Sequence, residues 1–475
     1  MMEKENKQIH NNRVGLLGLV MIVVGSMLGG GVFNLPGEIA ATSGVIAAMV
    51  AWAITGLGVF CLAKVFQTLS NEEPQITGGI YYYARTGFGR YVGFNSAWGY
   101  WLSNVIGNVS FIILFVDALT KFFPKIGGSS SIIGLIIGSI MIWAVVVIVA
   151  RGVKTASLLN NIATIAKIIP VVVGVVILII NFKYHLFSAD VFAHNIIIDG
   201  HGIGSVATQV KNAMLQTMWV FIGVEGAVVI SDRAKHTRDV GKATMMGFLS
   251  VLLLYVLVVV LSYGILPQEQ IANLPDPSLG GVLRYAAGDW AADMIDIGVI
   301  ISVLGAWISW AILTAEIPFM AARDETFPKF MGKENNQEAP ISALVVNGAI
   351  MQVVYIISMF ASNAFQAVTD NATTMVLVPY LLSGAFLWKV AHKRHELKNE
   401  CFAIGSMIYG FYMMYSSGLQ GVLFCVVLYA LGFAFWLWNH KEYHHPLFEN
   451  NFEKYLFYIL CIAGIFSLCY LIFIK

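Results

Sequence analysis

The sequence predicts an all-α integral membrane protein, and three observations carry that prediction: an apolar excess, a series of bilayer-length apolar runs, and basic residues confined to alternate loops. Of the 475 residues, 58% are hydrophobic and 12% charged, and the mean hydropathy is +0.76. Soluble domains carry about 45–50% apolar and about 25% charged residues. A soluble enzyme is therefore excluded, as are disordered and nucleic-acid-binding chains, which depend on charge that is missing here. The net charge of +1 provides no strong field for steering partners.

An apolar stretch of about 20 residues crosses a bilayer as a helix. Such stretches fall at 14–36, 44–68, 92–123, 131–150, 158–181, 207–230, 243–265, 291–321, 341–361, 366–390, 401–416, 418–438 and 455–474. The third and eighth are long enough to require tilt or extension beyond the bilayer. With the N-terminus inside, 21 Lys and Arg residues fall on the inner side, among them Lys4, Lys7, Arg13, Arg85, Arg90, Arg233, Arg323, Lys441 and Lys454. Five fall outside: Lys121, Lys125, Lys183, Arg284 and Lys475. That bias is the one the positive-inside rule describes. The run after Arg13 is too long for a signal-peptide core, and further spans follow it. The expected organisation is a cytoplasmic tail (1–13), a ten-helix core (14–390) and two or three additional C-terminal helices (391–475), for 12–13 spans.

Two spans are interrupted. The first reads Gly25-Ser26-Met27-Leu28-Gly29-Gly30-Gly31 before Asn34-Leu35-Pro36, and three consecutive glycines are costly in a helix. Irregular backbone at membrane depth must be buried or line a cavity. The sixth span reads Trp219-Val220-Phe221-Ile222-Gly223-Val224-Glu225-Gly226, five spans later. Paired interruptions at corresponding positions point to an inverted-repeat transporter. The amides of Gly29, Gly30 and Gly31 suit a carboxylate, and freed carbonyls in the sixth span suit an ammonium. Together they describe a site for the backbone of an amino acid.

These segments carry a resemblance. GSMLGGGVFNLP, the loop Pro74-Gln75-Ile76-Thr77-Gly78-Gly79-Ile80-Tyr81-Tyr82-Tyr83, the stretch from Trp101 to Asn108, WVFIGVEGA and Leu304–Phe319 resemble the amino acid–polyamine–organocation transporters. Within that superfamily they are most similar to the basic amino acid/polyamine antiporters of the bacterial arginine/ornithine type. The resemblance implies a LeuT-like 5+5 inverted repeat with discontinuous helices 1 and 6, in the inner membrane of a bacterium. It implies that Trp219 stacks on the substrate, that Asn108 and Trp310 contact its side chain, and that Glu225 gates or senses pH. Ser26, Asn104 and Ile222 complete the expected substrate set with Gly29, Gly30 and Gly31. One departure is Gly30, where the arginine/agmatine exchangers have serine: a hydroxyl is lost and the amide remains.

Ionisable residues inside a membrane are functional by default. Glu225 lies beside the sixth-span break, and a carboxylate with aromatic faces suits a cationic side chain, a desolvated cation–π contact being worth about 2 kcal/mol. Lys167, one turn before Pro170, is implied by the resemblance to stand where sodium-coupled relatives bind sodium. It is either a fixed charge holding the fifth helix to the first, or a proton carrier. Glu316, before Pro318, pairs with a basic group or gates. Asp117 either attracts cations at the outer mouth or is a locally hydrogen-bonded carboxylate.

No catalytic or metal set closes. The cysteines (Cys61, Cys401, Cys425, Cys461, Cys469) are scattered, and the histidines of 392–395 and 440–445 lack ligand spacing. No cofactor is expected. The leading functional expectation is exchange of a cationic amino acid for its metabolic product by alternating access. The alternatives are a proton-coupled importer and an exchanger of another pair, such as lysine/cadaverine, histidine/histamine or agmatine/putrescine. The partners are amino-acid and amine substrates and the lipid bilayer; a homodimer remains open.

Overall fold

The computed structural model describes residues 15–72, 80–151, 153–194, 196–198, 200–229 and 234–473. The tail with Lys4, Lys7 and Arg13, the Pro74–Gly79 part of the tyrosine-rich loop, Arg233 and Lys475 lie outside them. The first span is a bent pair, α1 (Leu16–Met27) and α2 (Gly31–Thr42), which meet at 44° across residues 28–30. Then come α3 (Val45–Glu72), a short α4 (Ile80–Phe88), α5 (Arg90–Phe122), α6 (Ile132–Ala150) and α7 (Val153–Ile180). A four-residue helix α8 (Tyr184–Phe187) and a small hairpin, β1 (Ile197–Ile198) and β2 (His201–Gly202), lead to the next span. That span is also broken, into α9 (Val206–Trp219) and α10 (Gly226–Val229). It is followed by α11 (Thr237–Ser262), short α12 (Gln268–Ala272) and α13 (Ser278–Ala287), α14 (Asp289–Arg323), α15 (Ile341–Ser358) and α16 (Ala364–Arg394). The chain ends with α17 (Leu397–Ser416), α18 (Gly418–Tyr443) and α19 (Asn451–Phe473).

Among the described residues nine helices are long and apolar enough to cross a membrane, and the bent first pair makes a tenth. The fifth, sixth and eleventh sequence-derived spans are the helices α7, α9–α10 and α17. Burial separates their environments. Helix α5 is covered on nearly every side, so its apolar character all round is that of a core helix. Helix α19 exposes Tyr455, Ile459, Ile462, Ile465 and Phe466, as a lipid-facing helix does.

Packing repeats under a shift of five spans. The third span, α5, packs on the tenth, α16, and the eighth, α14, packs on the fifth, α7. In the same way α3 packs on α9, and α11 on α1. Exchanging the two halves turns each of these contacts into the other, which is the signature of two repeats with inverted topology.

The first span does not end at Pro36, as its sequence suggested, but runs on to Thr42. A proline inside a helix removes one N–H and displaces its neighbours. Here Ser278, at the start of α13, fills the gap: the Gly37 N–H donates to its Oγ at 2.9 Å, and that hydroxyl donates to the Asn34 carbonyl at 3.0 Å. A Cβ on residue 37 would stand 2.9 Å from the Ser278 Cβ, so glycine is needed for this approach. Ser278→Ala strands a buried N–H and a buried carbonyl. It should cost about 1–3 kcal/mol, seen as a lower melting temperature in detergent; an unchanged melting temperature would contradict this account of the proline.

Candidate functional site

The two breaks face one another across a cavity lined by apolar surface with a few polar groups, the make-up of a small-molecule site. Ser26, Gly29, Gly30 and Gly31 line it from the first break, Trp219 and Ile222 from the second, Asn104 and Asn108 from α5, and Trp310 from α14. Ser103, Gly107 and Phe111 complete the α5 wall.

Each break leaves main-chain groups that side chains must satisfy. At the end of α1, Lys167, only 1% exposed, donates its ammonium to the Gly25 carbonyl. Ser26 donates to the Gly223 carbonyl at 2.8 Å, linking one break to the other. The Tyr255 hydroxyl, on α11, lies 2.7 Å from the Met27 carbonyl and 3.2 Å from that of Val220, the last carbonyls of α1 and of α9's cap. What remains faces the cavity. The Gly29 amide turns back onto the Met27 carbonyl at 2.7 Å, so it is not free as the sequence suggested. Gly30 and Gly31, by contrast, are at the start of α2, where helix amides lack internal acceptors. In the second break the Ile222 carbonyl meets no donor among the described residues.

The walls are polar where they need to be. Asn104 donates to the Tyr100 carbonyl at 2.8 Å. Asn108 donates to the Asn104 carbonyl at 2.7 Å and to the Thr314 hydroxyl at 2.9 Å. Both donors of Asn108 are thus spent, while its Oδ1 is buried without a donor among the described residues, an acceptor suited to a cation. Trp219 lies between the breaks and α5, and Gly31 and Gly107 make room for it. A Cβ at these positions would come 3.3 Å and 2.9 Å from the indole.

Glu225 does not line the cavity. It is fully buried and receives the Tyr100 hydroxyl at 2.7 Å, the Tyr380 hydroxyl at 2.8 Å and the Gly223 N–H at 3.1 Å. Tyr100 is one turn from Asn104 toward the Arg90 end of α5, so this trio lies on the basic-loop side of the cavity. Glu316 sits half-buried on α14, outside the cavity lining. Asp117 receives the Ser129 N–H at 2.7 Å and the Ser129 hydroxyl at 3.0 Å, the locally bonded form of its two readings.

At the end remote from the basic loops, a separate cavity is walled by Glu38, Asp117 and Asp276. Burial, and then the charge of Asp117, push the loop carboxyl of Asp276 up to about 7 against the pull of Lys121. Asp276 therefore gains its negative charge as pH rises through that value.

A family model described as an amino acid permease matches residues 14–475. This chain belongs to the amino acid permease family. It is 39% identical over 472 residues to an arginine/ornithine antiporter of Pseudomonas aeruginosa, covering 96% of this chain and 97% of the relative. It is 40% identical over 436 residues to an arginine/agmatine antiporter of Chlamydia pneumoniae, 90% of each chain. A putative amino-acid transporter of Clostridium perfringens is 37% identical over 475 residues, covering 97% and 98%. The permease is a multi-pass membrane protein, and not an enzyme.

Tyr100, Tyr380 and Tyr255 escaped the sequence reading. Tyr100 was reachable, since it stands four residues before Asn104 on the same helical face. No local signal marks the other two. Gly223 adopts φ +107°, and a Cβ there would lie 2.9 Å from that of Ser26. Gly223→Ala should therefore destabilise this permease by about 1–3 kcal/mol, measured by thermal unfolding; wild-type stability would show that the second break is not held as described.

Proposed function

We propose that this permease exchanges a cationic amino acid for its metabolic product, as an arginine/ornithine-type antiporter, by alternating access. The observation that carries the proposal is the cavity between two helix breaks. There the free amides of Gly30 and Gly31 offer positive poles to a carboxylate, and the Ile222 carbonyl accepts from an ammonium. The side chain of such a substrate runs toward Trp219, Trp310 and the unpaired Oδ1 of Asn108, where aromatic faces and an acceptor favour a cation. The names of the relatives point to the same substrate class.

In this reading Glu225, with Tyr100 and Tyr380, is the gate toward the side of the basic loops. We place that side in the cytoplasm of a bacterium, with the N-terminus there and the permease in the inner membrane. Residues 14–390 form the transporting core and 391–475 its additional helices. Ser26 and Gly29 shape the first break, Asn104 orders the α5 wall, and Lys167 ties the fifth span to the first in place of a cation. Glu316 takes part in gating from α14.

One observation favours a second reading. Among the described residues the buried Lys167 ammonium donates to the Gly25 carbonyl and to no carboxylate, and a proton-coupled importer would use a lysine placed at the first break as its proton carrier. Proteoliposomes separate the two. Exchange demands internal ornithine or another amine for labelled arginine uptake, whereas symport fills empty vesicles under a pH gradient. We expect the first result; uptake into empty vesicles driven by the gradient would overturn the proposal.

Two substitutions test the site in the same vesicles. Trp219→Phe should cost less arginine exchange than Trp219→Leu, which forfeits a stacking contact of about 2 kcal/mol. Glu225→Gln should cut exchange by roughly tenfold or more through loss of a charge-assisted acceptor, while leaving membrane insertion unchanged. Wild-type kinetics in Glu225→Gln would remove Glu225 from the mechanism.

A further inference from the structure

The last two helices meet the rest of the protein at the basic end, where they reach the start of α5 and the last turn of α14. Helix α5 begins at this end and presents N–H groups without internal acceptors; α14 finishes there in a turn whose own N–H groups already donate to the Met320, Ala321 and Ala322 carbonyls. Glu453, on the first turn of α19, is wholly buried. One of its carboxylate oxygens receives the Tyr91 N–H at 2.8 Å, and the other the Glu449 N–H at 2.7 Å. Gly89, at φ +103°, clears the way, since a Cβ there would stand 2.3 Å from Glu453 Oε1. At the neighbouring end of α14, the Tyr443 hydroxyl donates to the Ala322 carbonyl in the last helical turn at 2.8 Å, and Asn439 holds the turn that follows, donating to the Glu325 and Thr326 carbonyls at 3.0 and 3.1 Å. A carboxylate at a helix start and neutral donors at a helix end also match the partial charges of those ends.

We propose that α18 and α19 form a paired cap that fixes the axial register of α5 and α14, and that Glu453 is thereby a positioning residue for the substrate cavity. The two capped helices are counterparts in the two repeats. Helix α5 carries Asn104, Asn108 and the gating Tyr100, and α14 carries Trp310, so one C-terminal unit pins both walls past which the broken helices move. Only the transport readout below rests on the exchanger reading.

The test uses the full-length protein as wild type, Glu453→Gln and Glu453→Ala. Glutamine keeps one carbonyl acceptor, and alanine keeps none. Amide hydrogen exchange around Tyr91 should quicken roughly tenfold in Glu453→Ala, as expected for losing a hydrogen bond to a charged group, and less in Glu453→Gln. The disturbance should extend along α5 to residues 100–108. In vesicles the half-saturation concentration for arginine should rise about tenfold in Glu453→Ala, a misplaced cavity wall being that costly, with the maximal rate little changed and Glu453→Gln intermediate. Unchanged amide exchange at Tyr91 overturns the cap. Faster exchange confined to Tyr91, with wild-type half-saturation in the folded variants, overturns the positioning role. Should Glu453→Ala fail to insert, Glu453→Gln decides by the same two readouts. Should the wild type fail to exchange arginine for ornithine, the exchanger reading falls, and amide exchange along 88–108 alone decides the cap and its reach.

Discussion

A hydrocarbon interior supplies no water, so each main-chain N–H and carbonyl at membrane depth must find a partner within the protein. Everything distinctive in this permease follows from breaking that rule twice and repairing it incompletely. At the two breaks, Lys167, Ser26 and Tyr255 satisfy the carbonyls of Gly25, Gly223, Met27 and Val220. The groups left over, the first amides of α2 and the Ile222 carbonyl, are opposite in sign and share one cavity. An α-amino acid brings a carboxylate and an ammonium on adjacent atoms, which is the complement of that arrangement.

The repairs also set what can move independently. Ser26 joins the two breaks, and one tyrosine hydroxyl on α11 reaches both, so the broken helices are tied to each other through side-chain hydrogen bonds of ordinary length. Ser278 stitches the α12–α13 segment into α2 at Pro36, making the connection between the seventh and eighth spans part of the first broken helix. Against these stand α5 and α14, packed on α16 and α7 and gripped at the basic end by the C-terminal helices. Bundle and frame are thus distinguishable by their hydrogen bonds, and the substrate cavity lies on the boundary between them.

The spans and both breaks were legible in the sequence because apolar length and consecutive glycines act locally. Ser26, Gly29–Gly31, Asn104, Asn108, Trp219, Ile222 and Trp310 were all named from motif and resemblance, and the structure gathers them around one cavity. Glu225 was named too, yet it is held back from the cavity by two tyrosines more than 120 residues away from it in sequence on either side. The first span, drawn from sequence over 14–36, runs on to Thr42 because the gap at Pro36 is filled by Ser278, 241 residues after its partner Gly37. The caps supplied by Glu453, Asn439 and Tyr443 were equally hidden, since a lone polar residue at the end of an apolar run has no spacing signature. What sequence concealed, in each instance, is a polar partner brought in from a distant span.

The most direct test of the central claim is a structure of the permease with arginine bound. The account predicts carboxylate oxygens about 3 Å from the amide nitrogens of Gly30 and Gly31 and the ammonium about 3 Å from the Ile222 carbonyl oxygen, hydrogen-bond distances in both instances. Arginine bound elsewhere, or in this cavity with its head group on side chains and the main chain of both breaks unengaged, would contradict it.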